Sequence, residues 1–246
     1  MKIKYLAALG ILSLAGSVHA DTLLSQDYST FTTGALVGQG GWVQLGTIAT
    51  NPIQVASGAI TMANSGQDVA TPFAAVSSGD LTVTFTLNLS AAQAGGDYFL
   101  AFDTSSTATN YNSRLFAKSS GSGYVLGLQM GITGATPVYG TTELAFGSIY
   151  TITLTRTFVA GAANDTGFVN VDGSSYTGLV TWAGTSGEDA SLAAIALRQG
   201  SAGSAATIAG IGSMTVTTSA VPEPGTVALM GLGLGAVLFG ARRRRA

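Results

Sequence analysis

The sequence predicts an all-β fold, an antiparallel β-sandwich, with an apolar helical segment at each end of the chain. Two observations predict the sandwich. Several stretches alternate or cluster β-branched and aromatic residues between groups of Gly, Ser, Asn and Asp, as short strands do between turns. Long helical periodicity is absent from the interior, and glycine, at 34 residues, is abundant enough to serve many tight turns.

At the amino end, Met1 to Ala20 has three parts in the order of a secretory signal. Lys2 and Lys4 give the positive start, Tyr5 to Ala15 the apolar run, and Val18-His19-Ala20 a small-residue cleavage site. Cleavage is expected between Ala20 and Asp21. The implied partners are the Sec export machinery and signal peptidase.

Residues 21–220 are expected to form one exported domain, a size that suits a single large all-β unit. Leu81 to Leu89 is its clearest strand, with Leu81, Val83, Phe85, Leu87 and Leu89 on one face and threonines on the other. Strands are also predicted over 98–102, 113–117, 124–130, 149–157, 168–171, 192–197 and 214–218. Asp172-Gly173 is the signal of a two-residue hairpin, since both residues accept positive φ.

Charge and composition exclude several functions. The domain holds eleven acids against four bases, Arg114, Lys118, Arg156 and Arg198, a net of −7. That is no footprint for nucleic acid, whose binding rests on many cation–phosphate contacts. Cysteine is absent, so disulfides, thiolate metal sites and cysteine nucleophiles are excluded together. The one histidine, His19, lies in the segment expected to be removed, which excludes His-dependent triads from the mature chain.

At the carboxy end, Val221-Pro222-Glu223-Pro224-Gly225 precedes an uncharged stretch, 226–241, and then Arg242, Arg243, Arg244 and Arg245. Sixteen helical residues rise only about 24 Å, short of a hydrocarbon core of about 30 Å, but flanking residues extend the helix and arginines snorkel. A transmembrane helix is expected there, with the arginine cluster as a stop-transfer signal in the cytoplasm and the domain outside. Two prolines around one carboxylate present an extended, irregular peptide ahead of it.

This tripartite end, residues 221–246, resembles the PEP-CTERM sorting signal of Gram-negative bacteria. The resemblance implies recognition by exosortase, a membrane-embedded cysteine protease or transpeptidase, with Pro222, Glu223 and Pro224 as the sorting motif. It also implies an association with exopolysaccharide and biofilm. A second resemblance covers most of the domain. Gly40-Gly41-Trp42, Asn112 to Phe116 leading to Gly123 to Leu128, and Tyr150 to Arg156 running into Phe158 to Asp165 and Phe168 to Asn170 are similar to concanavalin A-like, laminin-G-like jelly rolls of bacterial surface proteins. Proline commonly follows that asparagine in the group, whereas Val171 does here.

No catalytic residue is assigned. Glycanases on this fold use carboxylates about 5 to 9 Å apart, which strands deliver at Glu-x-Asp or Glu-x-x-x-Glu spacing. The domain has only Glu143 and Glu188, the latter beside Asp189, and both read as solvated loop charges. No cofactor or metal site is assigned either. Asp103, Asn110, Asn112, Asn164, Asp165 and Asp172 are oxygen donors that calcium could use, but these types are also the commonest turn formers, and the turn reading is preferred. Trp42, Tyr111, Tyr139, Tyr176 and Trp182 are candidate sugar-stacking rings, with Trp42 and Trp182 expected in the core.

The expected function is that of a non-enzymatic surface or extracellular-matrix protein, associated with biofilm or exopolysaccharide. It is expected as an inner-membrane-anchored precursor with a periplasmic domain, destined for the cell surface or medium. The alternatives are a lectin-like carbohydrate-binding module, assisted by calcium or not, and, further off, a degenerate glycoside hydrolase.

Overall fold

The computed structural model describes residues 20–63, 65–131, 135–183, 187–188, 190–199 and 207–219. The expected signal segment up to His19, the Pro222-Glu223-Pro224 motif, the 226–241 helix, Arg242 to Arg245 and Asp189 lie outside them. In chain order the strands are β1 (Ala20–Asp27), β2 (Gly34–Ala35), β3 (Val43–Leu45), β4 (Gln54–Ala56), β5 (Ala59–Met62), β6 (Asp68–Val76), β7 (Gly79–Ala91), β8 (Asp97–Asp103) and β9 (Tyr111–Ser120). They continue as β10 (Gly123–Met130), β11 (Val138–Tyr139), β12 (Ile149–Phe158), β13 (Thr166–Val171), β14 (Ser174–Ser175), β15 (Val180–Thr181), β16 (Leu192–Leu197) and β17 (Thr207–Ser219). The one helical piece among the described residues is a single 3-10 turn, Tyr28–Thr30.

These strands make an antiparallel β-sandwich. One sheet runs β14-β13-β12-β7-β17-β5-β4-β2, with β1 added to β17 and β15 to β13, and the other runs β11-β10-β9-β8-β16-β6-β3. β7 lies centrally in the larger sheet between β12 and β17. Its alternation decides its placement: Leu81, Val83, Phe85, Leu87 and Leu89 are at most 1% exposed, and Thr82, Thr84 and Thr86 face outward. Opposite them the smaller sheet contributes Phe102, Leu115, Leu126, Leu128, Ile195 and Leu197 to the same core.

Each of the eight predicted spans falls inside an observed strand, and Leu192–Leu197 has the predicted limits. Asp172 and Gly173, at φ 50° and 78°, form the two-residue turn between β13 and β14. Gly40 and Gly41 also sit at positive φ, 53° and 84°. A Cβ on Gly40 would stand 2.3 Å from Cζ of Phe31, so only glycine fits beneath that ring. The turn delivers Trp42 to the core, fully buried, where its Nε1 donates to Gln26 Oε1 at 2.7 Å.

Candidate functional site

The outer face of the seven-stranded sheet gathers groups that are far apart in sequence. On β9, Leu115 and Ala117 point into the core, so alternation sends Arg114, Phe116 and Lys118 outward. On β8 the register slips between Tyr98 and Leu100, a bulge that lets Phe99 and Leu100 both enter the core and leaves Tyr98 outside, paired with Phe116. Phe116 is also paired with Gly127 of β10. Tyr139 of β11 lies flat over that glycine, since a Cβ there would be 2.6 Å from its Cδ1. The result is a row of rings, Tyr139, Phe116 and Tyr98, crossing four strands, with Phe116 and Tyr98 centroids 5.5 Å apart.

Every accessible cation of the domain stands on these rings. Arg198 lies 4.2 Å and Arg114 4.9 Å from the centroid of Tyr98, and Lys118 Nζ lies 5.4 Å from that of Tyr139. Such contacts contribute about 0.5–1 kcal/mol each at exposed sites. Arg198 is held further by Asp97 at 2.8 Å. Tyr111 packs edge-on against Tyr98 at 5.4 Å and donates its hydroxyl to Asp68 at 3.1 Å. Beside the rings the sheet surface is floored by small residues, Ala70, Ala101, Ala194 and Ala196. Burial pushes the Tyr98 hydroxyl up, against the pull of Arg198 and Arg114, so it stays a neutral donor.

At one end of the sandwich a second cluster lies between the sheets. Arg156 of β12 follows Ile152 and Leu154 on the inward face and is fully buried. Its Nη2 meets Asp165 Oδ2 at 2.5 Å and Glu188 O at 2.6 Å, and its Nη1 donates to Asn112 Oδ1. The rings of Phe158 and Trp182 lie 4.5 and 4.6 Å from the guanidinium carbon. A cleft of about 160 Å³ opens beside it, bordered by Ser77, Phe158, Asp165 and Glu188.

One sequence-based expectation changes here. Glu188 is not a solvated loop charge but is 2% exposed, accepting from the backbone N–H groups of Ala163, Asn164 and Asp165, the last at 2.7 Å. Burial opposes its charge, yet those three donors and nearby Arg156 hold its carboxyl below the usual range. Glu143 does sit exposed, bonded to Ser122. The oxygen donors considered for calcium are dispersed: Asn112 and Asp165 are turned on the Arg156 guanidinium, Asn164 bonds Ala160 O at 2.8 Å, and Asp172 accepts from Thr151 N in its hairpin. Among the described residues no three His, Cys, Asp or Glu side chains gather as a metal site. Asp103 closes the loop after β8 by accepting from Thr104 N at 2.6 Å. Burial pushes its carboxyl up, but at 0% exposure it cannot reach a ligand.

Of the five candidate rings, Trp42 and Trp182 are buried in the core, Tyr176 packs under Gly140, Tyr111 is buried beneath Tyr98 on the outer side of the smaller sheet, and Tyr139 is half-buried on the outer face. Tyr98 and Phe116 were not among the candidates. Their signal was available in part, since Arg114-x-Phe116-x-Lys118 puts two cations around a ring on one side of a strand.

A search of curated proteins finds no match. Among solved structures, the CBM2 module of the evolved Dit of Lactobacillus casei BL23 phage J-1 aligns over 82% of this chain and 97% of its own, at 10% identity and a TM-score of 0.52. A mutant of alginate lyase Aly36B in complex with alginate tetrasaccharide aligns over 80% of this chain and 96% of its own, at 10% identity and 0.51. Identity this low shows a shared sandwich fold alone. At the carboxy end, residues 220–245 match the PEP-CTERM protein-sorting motif, so this chain is an exported β-sandwich protein carrying the sorting signal that exosortase recognises.

Proposed function

We propose that the protein is a non-enzymatic component of the cell surface or extracellular matrix that holds polysaccharide on the outer face of its seven-stranded sheet. The row formed by Tyr139, Phe116 and Tyr98 is the observation that carries this reading. Sugar rings present apolar C–H faces that stack on aromatic side chains, while hydroxyls take hydrogen bonds from neighbouring polar groups. Arg114 and Lys118 supply such groups beside the rings.

The absence of catalysis is part of the proposal. Asp165 and Glu188 border one cleft but are committed, one to a guanidinium and the other to three backbone donors. A glycosidase needs one carboxyl kept protonated, and Glu188 is pushed the other way. In the same reading, signal peptidase cuts between Ala20 and Asp21. The 226–241 helix and Arg242 to Arg245 hold the precursor until exosortase acts at Pro222 to Pro224. The fold neighbours lend precedent, since one is a carbohydrate-binding module by name and another holds an oligosaccharide.

Affinity electrophoresis of the processed protein through gels containing host exopolysaccharide tests the reading. Retardation that disappears in Tyr98→Ala, with the melting transition kept, is expected. Equal mobility in the presence and absence of every polysaccharide tried would refute it.

A further inference from the structure

The distribution of charge names the class of polysaccharide more closely, and the step rests on the glycan-binding reading just given. The domain has four cations in all. Arg156 is buried between the sheets, and the other three, Arg114, Lys118 and Arg198, stand together on the ring-bearing face. The acids are spread differently. Asp27, Asp80 and Asp172 belong to the ten-stranded sheet or its hairpin, whose one cation among the described residues, Arg156, is buried, and Glu143 is exposed in a loop. On the ring-bearing face Asp97 is bound to Arg198, Asp68 accepts from Tyr111 Oη and Gln199 N, and Asp103 is wholly buried with its carboxyl pushed up.

A polyanion is therefore repelled by most of the surface and meets accessible positive charge on one face only. β9 offers it a cation, a ring and a cation in register, Arg114, Phe116 and Lys118, about 6.8 Å apart from one to the next. Neutral sugars have no use for such a concentration of the few cations present, because hydroxyls and amides would serve them equally. We infer that this face selects an acidic polysaccharide whose sugars carry carboxylates, with Arg114 and Lys118 facing the carboxylates and Phe116, Tyr98 and Tyr139 under the sugar rings.

The test uses the exported, processed protein with two probes, polygalacturonate and the same polymer with its carboxyls reduced to alcohols. Binding by titration calorimetry is expected for polygalacturonate, weakened by at least about tenfold in the reduced polymer and in about 0.5 M NaCl, where the Debye length falls to roughly 4 Å. Arg114→Gln with Lys118→Gln should lose a similar factor for the acidic polymer alone, and Lys118→Arg, which keeps the charge, should lose far less. Lys118 is held only by a ring contact among the described residues, so Lys118→Gln folds even where the double variant does not. Equal affinity for the two polymers would overturn the inference and leave the glycan-binding reading standing. Binding of neither would overturn the inference, and, with no retardation by host exopolysaccharide either, the glycan-binding reading as well.

Discussion

On the outer face of the ten-stranded sheet, Thr82 and Thr84 of β7 meet Thr155 and Thr153 of β12 hydroxyl to hydroxyl, at 3.0 and 3.2 Å. On the outer face of the seven-stranded sheet, alternation of the same kind puts out rings and cations instead. Cross-strand threonines satisfy much of each other's hydrogen bonding and leave a neutral, self-contained surface. The other face carries rings with cations resting on them. On the proposed reading, one side of the sandwich is kept for solubility and the other for a ligand without altering the core between them.

The largest expected effect removes both faces at once. Arg156 on β12 joins Asp165 to Asn112 on β9, so it ties the sheets together from within. Asp165→Ala removes the carboxylate hydrogen-bonded to the buried guanidinium and should cost about 3–5 kcal/mol in denaturant unfolding. Retention of wild-type stability would mean that Asp165 does not hold the guanidinium that reaches Asn112 across the sheets.

Next comes Tyr98→Ala, which takes away the ring on which Arg114 and Arg198 rest. Polysaccharide affinity should fall by at least about tenfold, as for a buried aromatic anchor, while the threonine face is untouched. Titration with a binding polymer reads this directly.

A third prediction separates two carboxyls by pH. Glu188 is held below its ordinary 4.5, so its contribution is present above that pH and is lost as pH falls through the lower folded value. Asp103 is raised above its ordinary 3.8, so its charge works against folding once pH exceeds that value. Glu188→Gln should therefore lose stability at pH 7 and approach wild type in acid. Asp103→Asn should show the reverse trend, gaining relative to wild type as pH rises. Melting curves from about pH 3 to 7 would check both, and parallel curves for the two variants would contradict the assignment.

The smallest effect is Thr84→Val. It breaks one hydroxyl pair, should change stability by no more than about 1 kcal/mol, and should leave polysaccharide binding unchanged. Lost binding would move the site to the opposite face.

The core strands were legible because their alternation is strong. Leu81 to Leu89 and Ile149 to Thr157 announce both their period and their buried side, and the pair forms the centre of the larger sheet. The first third of the sandwich was not legible. β2 to β5 are two to four residues long, too short to show a period, and β6 carries Pro72, which argues against a strand from local sequence. β1 reads as polar and joins the sheet only through β17, nearly two hundred residues away. The candidate site was half legible. Tyr111 and Tyr139 could be proposed as rings, but Tyr98 reaches the surface through a bulge that no pattern of period two foretells. Glu188 was misread because its burial comes from loop 163–165 folding onto it, a tertiary event with no local signature.

The central claim is that ligand lies on the ring-bearing face. Hydroxyl-radical footprinting of the processed protein with and without polygalacturonate measures it residue by residue. Protection of Tyr98, Phe116 and Tyr139, with Phe168 on the threonine face unchanged, is the predicted result. Protection of Phe168 with the three rings left reactive would contradict it.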